Sequence, residues 1–348
     1  TKPFSPKELA LRINKLIEIR QALQLRYQQN NHETDTGNEV FTKEDQFITD
    51  LKTYVLENIN NSELNNDSIS QHFGMSRTSL YRKLKALTNQ SISTFIRSQR
   101  LLKAVELLEM ENDLRYAVER GELELYYQPQ LSANDCSMQG VEALLRWNHS
   151  EKGLVAPDYF IPIIEDTGLI IPIGEWVLRQ ACTQIVRWQD QGVPVNRIAI
   201  NVSAHQFKQP EFIDLIQRVI KETGVDANRL ELELTESILM DNLDLTLEVL
   251  TRLRAMGVRM AVDDFGTGFS TFNYLKQLPA QSVKIDGSFI VDLATNPVDL
   301  ALVKAIYEVA TALGKKTVAE FVENEETLQI LANIGVSYAQ GYHIGKPK

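Results

Sequence analysis

The sequence predicts an α/β protein: a (β/α)8 TIM-like barrel preceded by a small all-α helix-turn-helix module. Short β-rich runs alternate with segments of helical periodicity over roughly 240 residues, a pattern typical of a parallel sheet wrapped by helices. The runs repeatedly stop at polar residues, as in Val258–Gly268, where an apolar strand ends at Asp263 and Asp264. Polar ends on many strands favour a closed barrel over an open doubly wound sheet, whose site lies at one switch point.

The polar side chains near the predicted strand ends are of only a few chemical types. In chain order they are Glu142, Asn201, Glu233, Asp263 with Asp264, Lys284 with Asp286, Glu320 and Gln340. One acidic residue at a strand end is usually a helix cap or a solvated rim residue, but repetition on successive strands favours a site. Because carboxylate and amide groups offer only oxygen ligands, the pattern predicts Mg²⁺ or Mn²⁺ rather than Zn²⁺.

Composition limits the class of protein. The 348 residues are 43% apolar and 24% charged, which is typical of a globular protein of two or three domains. No run of about 18 apolar residues is present, so we expect no membrane-spanning segment, and we expect no secretory signal. With only two cysteines, Cys136 and Cys182, the sequence favours a reducing compartment and therefore a cytoplasmic location.

Charge is distributed unevenly between two parts of the chain. Residues 1–110 contain 15 Lys and Arg against 13 Asp and Glu, whereas residues 111–348 contain 21 against 33. The resulting net charges are +2 and −12. An acidic domain that handles phosphates needs a local cation, which the strand-end carboxylates are suited to bind.

Two segments precede the predicted helix-turn-helix module. Residues 1–27 are predicted to be helical, and residues 28–42 a linker, since Gln28–Gly37 is polar and has no aliphatic residue. The motif Lys2-Pro3-Phe4 and the helix after it resemble the last turn and final helix of a response-regulator receiver domain. Residues 1–27 are therefore interpreted as a remnant of such a domain.

Residues 43–109 are predicted to form three or four helices, with a helix-turn-helix in Asp67–Thr88. Asp67 is predicted to cap one helix, Gly74 to end it and Ser76 to cap the next. The second helix presents polar and basic side chains on one face, which suits contact with DNA. They are Arg77, Thr78, Tyr81, Arg82 and Lys85. A solvated helix without a nucleic-acid partner remains the alternative.

The same segment resembles the DNA-binding domain of AraC-type regulators, on GMSRTSLYRKLKALT and SISTFIRSQRLLKAVELLE. In that family a second helix-turn-helix follows the linking helix, whereas here Met110–Gly121 leads straight into barrel-like sequence. The resemblance therefore implies the first motif only, with weak and strongly salt-dependent DNA binding unless dimerisation supplies a second half-site. Ser91–Gly121 is predicted to be either one continuous helix or two helices with a bend near Glu109–Asn112.

Residues 110–348 resemble the EAL family of cyclic di-GMP phosphodiesterases over essentially their whole length. The motifs are YYQP at 126–129, EALLRW at 142–147, INVSAHQF at 200–207, LELTES at 232–237, DDFGTGFS at 263–270, VKIDGSF at 283–289, AEFVE at 319–323 and AQGYHIGKP at 339–347. The resemblance implies hydrolysis of cyclic di-GMP to linear pGpG by two-metal catalysis, and a homodimer formed through the barrel. A pair of divalent ions suits a phosphodiester because it relieves charge on the attacked group and the leaving oxygen.

The resemblance also assigns roles to single residues. It implies metal ligands at Glu142, Asn201, Glu233, Asp263, Asp264 and Glu320, with Lys284, Glu142 and Glu320 as the catalytic set. It implies a substrate-binding set of Gln128, Leu144, Arg146, Asp286 and Gln340. It implies that a loop couples the site to the dimer interface through Glu236, Phe265, Gly266, Thr267 and Gly268.

Two other functions stay open at this point. The barrel is alternatively an inactive cyclic di-GMP receptor that regulates the DNA-binding module, although inactive members usually lack ligands. Otherwise the chain acts mainly as a DNA-binding regulator with the barrel as its sensor. Two residues depart from the family pattern: Phe321 replaces a usual glycine, and Ser337 a common aspartate.

Overall fold

The computed structural model describes residues 43–266 and 272–348. The predicted receiver remnant at 1–27, the predicted linker at 28–42 and the loop residues Thr267 and Gly268 lie outside these ranges. The chain divides into two compact units, with the division between Glu109 and Met110.

The first unit is helical, as predicted. Its described helices are Lys43–Glu57 (α1), Asn66–His72 (α2), Arg77–Thr88 (α3) and the first part of Ile92–Ala117 (α4). One apolar cluster holds them together through Phe47, Leu51, Val55, Ile69, Leu80, Leu84, Leu87, Ile92 and Phe95, among others. Helix α4 continues through Glu109–Asn112 without a break, so the single-helix alternative describes this segment.

The start of α2 corrects one predicted cap. Asn65, rather than Asp67, begins α2, because its side-chain oxygen accepts hydrogen bonds from the backbone N–H groups of Asp67 and Ser68 at 2.8 and 3.2 Å. The Asp67 carboxylate instead pairs with the guanidinium of Arg77. Gly74 has a φ of +60° as expected at the end of a helix, and Ser76 caps α3 as predicted.

The second unit is a closed barrel. Its strands are Leu123–Ser132 (β1), Met138–His149 (β2), Gly153–Val155 (β3), Ile198–Asn201 (β4), Leu230–Thr235 (β5), Arg259–Phe265 (β6), Ser282–Ile285 (β7), Lys316–Ala319 (β8) and Tyr338–Ala339 (β9). They pair in the order β1-β9-β8-β7-β6-β5-β4-β2-β3, and a β1–β2 pairing closes the ring. The (β/α)8 TIM-like barrel is thus confirmed.

One strand departs from the predicted parallel arrangement. Strand β1 is antiparallel to both of its neighbours in the ring, β2 and β9. The reason is the short connection at residues 133–137, since a hairpin turn joins only antiparallel strands, whereas a parallel pair needs a long crossover. The remaining ring pairs, from β2–β4 to β8–β9, are parallel.

Helices surround the barrel and complete its core. They are Pro157–Asp166 (α5), Ile170–Asp190 (α6), Ala204–Phe207 (α7), Phe212–Thr223 (α8), Glu236–Asp241 (α9), Leu243–Ala255 (α10), Phe272–Gln277 (α11), Pro297–Ala312 (α12) and Glu325–Ile334 (α13). Met110, Leu114 and Ala117 of α4 also belong to this core. Within the described ranges, none of the helices has the combined length and apolar character that crossing a bilayer requires.

The register of the parallel strands brings the predicted site residues to one end of the barrel. Asn201, the last residue of β4, lies directly opposite Glu233 of β5, and Thr235 of β5 lies opposite Asp263 of β6. Since β4, β5 and β6 run in the same direction, these side chains meet at the carboxyl-terminal mouth.

Candidate active site

A buried lysine lies at the centre of the barrel mouth. Lys284 is 1% exposed, and its ammonium is surrounded by carboxylates from four other strands or strand ends. Its Nζ lies 2.7 Å from Glu233 Oε2, 2.9 Å from Glu320 Oε1, 3.1 Å from Asp263 Oδ1 and 3.4 Å from Glu142 Oε2. The structure thus brings together five of the residues that the sequence predicted as ligands or catalytic groups.

The carboxylates outnumber the positive charge, and their pKa values reflect the imbalance. Burial raises the pKa of Glu233 well above its usual value, and repulsion from Glu142 and Asp263 adds to the rise. Burial likewise raises the pKa of Glu320 to about 7, although Lys284 opposes the rise. These carboxylates are held in a site that is short of positive charge.

The pKa values of Lys284 and Glu142 are shifted in the direction that favours the charged form of each side chain. Burial lowers the pKa of Lys284, but the carboxylates around it, led by Asp263, outweigh burial and raise it well above its usual value. Burial raises the pKa of Glu142, but Lys284 and the amides of Gln340 and Asn201 outweigh burial and lower it. Glu142 therefore differs from Glu233 because amide donors contact it.

Two short hydrogen bonds hold Glu142. Asn201 Nδ2 donates to Glu142 Oε1 at 2.6 Å, and Gln340 Nε2 donates to Glu142 Oε2 at 2.6 Å. Gln340 Nε2 also lies 3.1 Å from Gln128 Oε1, and Gln128 Nε2 donates to the carbonyl of Gly345 at 3.1 Å. Both glutamines, predicted to bind substrate, are buried against protein groups.

The adjacent carboxylates of Asp263 and Asp264 reach the same group of atoms. One oxygen from each of them and one from Glu320 all lie within 4.8 Å of one another. Successive side chains of a strand normally point to opposite faces, but Asp264 has a φ of +52°, and the pairing of β6 with β7 shifts register between Val262 and Phe265. The irregular end of β6 thus places both carboxylates at one site.

The residues present fit divalent cations. Four carboxylates face one ammonium, and the buried Oε1 of Glu233 has no hydrogen-bond partner in the described part of the chain. Asp264, whose pKa is raised by burial and by Asp263, adds a further carboxylate. Hard cations with oxygen ligands would balance this charge, and Mg²⁺ and Mn²⁺ both meet that description.

The other predicted substrate-binding residues lie around this cluster. Leu144 and Arg146 follow Glu142 at alternate positions of β2, so the three share one face of that strand. Both are half-buried, and the Arg146 guanidinium lies 5.5 Å from the centre of the Tyr126 ring. Asp286 is half-buried and caps the turn at Gly287–Phe289.

The described part of the predicted coupling loop begins at the end of β6. Glu236 is the first residue of α9, and Phe265 is buried at the end of β6. Gly266 has a φ of +107°, and a Cβ there would lie 2.8 Å from the Phe289 ring. A glycine is therefore required at this position.

The two departures from the family pattern have clear local structures. Phe321 adopts a φ of +53°, which is unusual for a bulky residue, and its ring packs over Gly287 while remaining 58% exposed. Glu320 nevertheless lies within the cluster around Lys284. The Ser337 backbone N–H donates to the Thr317 hydroxyl at 3.2 Å, which joins β8 to the start of β9.

The predicted DNA-binding residues lie on the exposed face of α3. Arg77, Thr78, Tyr81, Arg82 and Lys85 are all exposed, whereas Leu80, Leu84 and Leu87 of the same helix are buried. Arg77 is paired with Asp67, and the Lys85 ammonium donates to the carbonyl of Asn89 at 2.6 Å.

The sequence reasoning missed a second buried polar group, at the opposite end of the barrel. Gln130, Arg197 and Glu231 are all at most 5% exposed and lie in hydrogen-bond contact with one another or with Ser282. A signal was present, because Glu231 and Glu233 alternate in an otherwise apolar strand and must share one face.

Comparison with known proteins identifies the barrel. A family model described as the EAL domain matches residues 111–347. The chain belongs to the EAL domain family. The predicted family resemblance is thereby confirmed for the barrel, while the receiver and AraC-type resemblances remain predictions.

Relatives of the EAL domain include named enzymes. The chain is 44% identical over 253 residues to the "Bifunctional diguanylate cyclase/cyclic di-GMP phosphodiesterase MucR" of Pseudomonas aeruginosa, covering 73% of this chain and 37% of that protein. It is 39% identical to the "Cyclic di-GMP phosphodiesterase NbdA" of the same organism, covering 73% of this chain and 32% of that protein. The chain thus spans about a third of the length of these relatives.

Solved structures share the EAL fold. The structure described as "PaMucR Phosphodiesterase, c-di-GMP complex" matches with a TM-score of 0.67 at 44% identity, covering 69% of this chain and 97% of that chain. The "Structure of EAL Enzyme Bd1971 - cAMP and cyclic-di-GMP bound form" matches with a TM-score of 0.67 at 32% identity, covering 74% of this chain and 72% of that chain.

Proposed function

We propose that the EAL domain hydrolyses cyclic di-GMP to linear pGpG. The observation that carries the proposal is the set of four carboxylates, three of them buried, around Lys284 at the barrel mouth. Relatives named as cyclic di-GMP phosphodiesterases, and a similar structure described as a c-di-GMP complex, support the choice of substrate. A complete set of acidic ligands disfavours the alternative of an inactive receptor.

The proposed reaction depends on two divalent cations, Mg²⁺ or Mn²⁺. The residues that would hold them are Glu142, Asn201, Glu233, Asp263, Asp264 and Glu320. When bound, such ions relieve negative charge on the phosphate oxygens and on the leaving oxygen. The raised pKa of Glu320, and Oε1 of Glu233, which has no hydrogen-bond partner among the residues that the structure describes, both support a site that is built for additional positive charge.

The proposed roles of the protein's own groups follow from their charge states. Lys284 would orient the attacking water by donating a hydrogen bond from its ammonium, whose pKa the surrounding carboxylates raise in the metal-free site. Arg146 would pair with phosphate oxygens of the substrate through its guanidinium. Because the pKa of Glu320 is raised to about 7 in the metal-free site, binding of a cation by Glu320 would release a proton at and below neutral pH.

A second proposal concerns the helical unit. We propose that the exposed face of α3 contacts DNA weakly, because Arg77, Arg82 and Lys85 lie on its exposed face and its apolar residues are buried in the helical core.

We also propose that the EAL domain forms a homodimer through the barrel, which light scattering of the purified protein tests. Cys136 and Cys182 are both free, which supports the expected cytoplasmic location.

The decisive experiment is product analysis. Purified protein with cyclic di-GMP and Mg²⁺ is expected to release linear pGpG, and chelation by EDTA is expected to stop the reaction. Glu142→Gln is expected to lower the rate by at least about 100-fold, because it removes a charged ligand. Glu211→Gln, the same chemical change at an exposed residue outside the predicted site, is the matched control and should keep the full rate. Binding of cyclic di-GMP without any pGpG would overturn the enzyme proposal in favour of a receptor.

A further inference from the structure

A continuous chain of side-chain hydrogen bonds runs through the barrel interior to Glu142. Arg197 Nη2 donates to Gln130 Oε1 at 2.6 Å, and Gln130 Nε2 donates to Gln340 Oε1 at 2.8 Å. Gln340 Nε2 then donates to Glu142 Oε2 at 2.6 Å. The chain links the amino-terminal end of the barrel with the site at its mouth.

The direction of this chain is fixed by its first member. A guanidinium has only donors, so Gln130 must turn its carbonyl oxygen towards Arg197 and its amide NH₂ group towards Gln340. Gln340 must in turn present its own oxygen to Gln130 and its NH₂ group to Glu142. Glu142 therefore accepts a hydrogen bond from the Gln340 amide, whose orientation matches the one that Arg197 imposes on Gln130.

Arg197 is itself held in place. Its guanidinium contacts the Glu231 carboxylate at 3.3 Å and lies 5.1 Å from the centre of the Tyr338 ring. Glu231 also accepts a hydrogen bond from the Ser282 hydroxyl at 3.1 Å. Arg197, Glu231, Gln130 and Gln340 are each at least 95% buried, so these groups have little freedom to rearrange.

We infer that Arg197, Gln130 and Gln340 are positioning residues that orient the Glu142 carboxylate for a divalent cation. The inference rests on the proposed metal-dependent function. Without Gln130, the Gln340 oxygen loses its hydrogen-bond donor and the amide is held only through its NH₂ group, by Glu142 and Gln128, so the amide and the carboxylate it contacts are less firmly oriented. The effect of Gln130 on cation binding is thus indirect, since it contacts neither the cation nor the substrate.

The test compares two substitutions of Gln130. Gln130→Met keeps the length of the side chain but removes both hydrogen bonds. Gln130→Glu keeps the contact with Arg197, but its carboxylate cannot donate to Gln340. This variant therefore tests the hydrogen bond to Gln340 separately from the contact with Arg197. Gln281→Met is the matched control, because the Gln281 amide oxygen accepts from the Met260 N–H at 2.7 Å and is not a member of the chain from Arg197 to Glu142.

The measurement is the dissociation constant of Mn²⁺, by calorimetry on the full chain without substrate. Both Gln130 variants are expected to bind Mn²⁺ roughly tenfold more weakly than the unaltered protein, whereas Gln281→Met should bind it equally well. In turnover assays the Gln130 variants should need more Mg²⁺ for half-maximal rate, with an unchanged KM for cyclic di-GMP at saturating Mg²⁺. Thermal melting in EDTA checks that each variant is folded.

The outcomes separate this inference from the proposed function. Unchanged Mn²⁺ affinity in both Gln130 variants overturns the inference and leaves the proposed function standing. Normal affinity in Gln130→Glu alone also overturns it, since Gln130 would then only support Arg197. If the unaltered protein binds no Mn²⁺, both fail together. Should Gln130→Met not fold, Gln130→Glu decides the question by itself.

Discussion

At the scale of single residues, Lys284 acts as the internal counter-charge of the site. Its ammonium lies within 3.4 Å of four carboxylates, in a place that water barely reaches. Removing one member of such a buried charged group leaves the others uncompensated, which is strongly unfavourable. The same residue that would orient water therefore also holds the metal-free site together.

Lys284→Met is expected to destabilise the protein in EDTA by about 3–5 kcal/mol, because four carboxylates, three of them buried, lose their shared cation. Activity is expected to fall by at least about 100-fold. Chemical denaturation and product analysis measure the two effects. Lys152→Met, on an exposed loop, is the control. Addition of Mn²⁺ should restore part of the lost stability, and a variant as stable as the unaltered protein in EDTA would contradict this role.

The stability of the metal-free protein should depend on Glu320. Because the pKa of Glu320 is raised to about 7 in the folded state, the folded protein binds more protons than the unfolded chain above the ordinary glutamate pKa. Its contribution to stability is therefore present at low pH and is lost as pH rises towards and through 7. Melting temperatures in EDTA should fall between pH 5 and pH 8 by roughly 5 °C more than in Glu320→Gln. Equal slopes for the two proteins would contradict the raised pKa.

At the scale of elements, α3 presents a basic face whose cations are not equally available. Arg77 is engaged by Asp67, whereas Arg82 is exposed one turn further along the helix. Contact with a DNA phosphate requires Arg77 to exchange one anion for another, so its net gain is smaller. The structure thus indicates that Arg82 is more available to DNA than Arg77, although the sequence presented the two residues as equivalent.

Arg82→Ala is expected to weaken DNA retardation at low salt more than Arg77→Ala does. Each lost phosphate contact should also reduce the slope of log affinity against log salt by about 1. Titration of duplex DNA at several salt concentrations measures both quantities, with Lys52→Ala on α1 as the control. Absence of any retardation at low salt would remove DNA from the list of partners.

The sequence predicted the elements that carry a strong local signal. Ser76 has a polar side chain before an apolar helical pattern, and Glu233 and Glu320 end or follow apolar runs, so their places were readable. Local signals failed at Asp67, because the neighbouring Asn65 competes for the same cap. The direction of the Gln130 and Gln340 amides was also beyond prediction, since it depends on Arg197, which is distant in the sequence.

At the scale of the whole molecule, two units with separate cores differ in their need for cations. The first unit is held by an apolar helical cluster, whereas the second contains the acidic site. A ligand that binds only the folded state adds stability in proportion to its saturation. Only the second unit is therefore expected to respond to metal.

Divalent metal is expected to raise the melting temperature of the full chain. At a free metal concentration about 100 times its dissociation constant, binding adds about 2.7 kcal/mol to the free energy of unfolding. For a domain of this size that corresponds to a rise of roughly 5–10 °C in melting temperature. Calorimetric scans with EDTA and with Mn²⁺ provide the comparison. Glu233→Gln, which removes a predicted ligand, should abolish most of the difference. An equal response in that variant would place the cation elsewhere.

The antiparallel β1 also has a kinetic consequence. Its pairing with β2 joins residues that are close in sequence, as between Gln130 and Gly140, and such a hairpin can form early in folding. Its pairing with β9, as between Leu131 and Ala339, closes a loop of about 200 residues and carries a far larger entropic penalty. We expect the β1–β9 pairing to form only after the intervening strands have assembled, which makes β9 a late-folding strand.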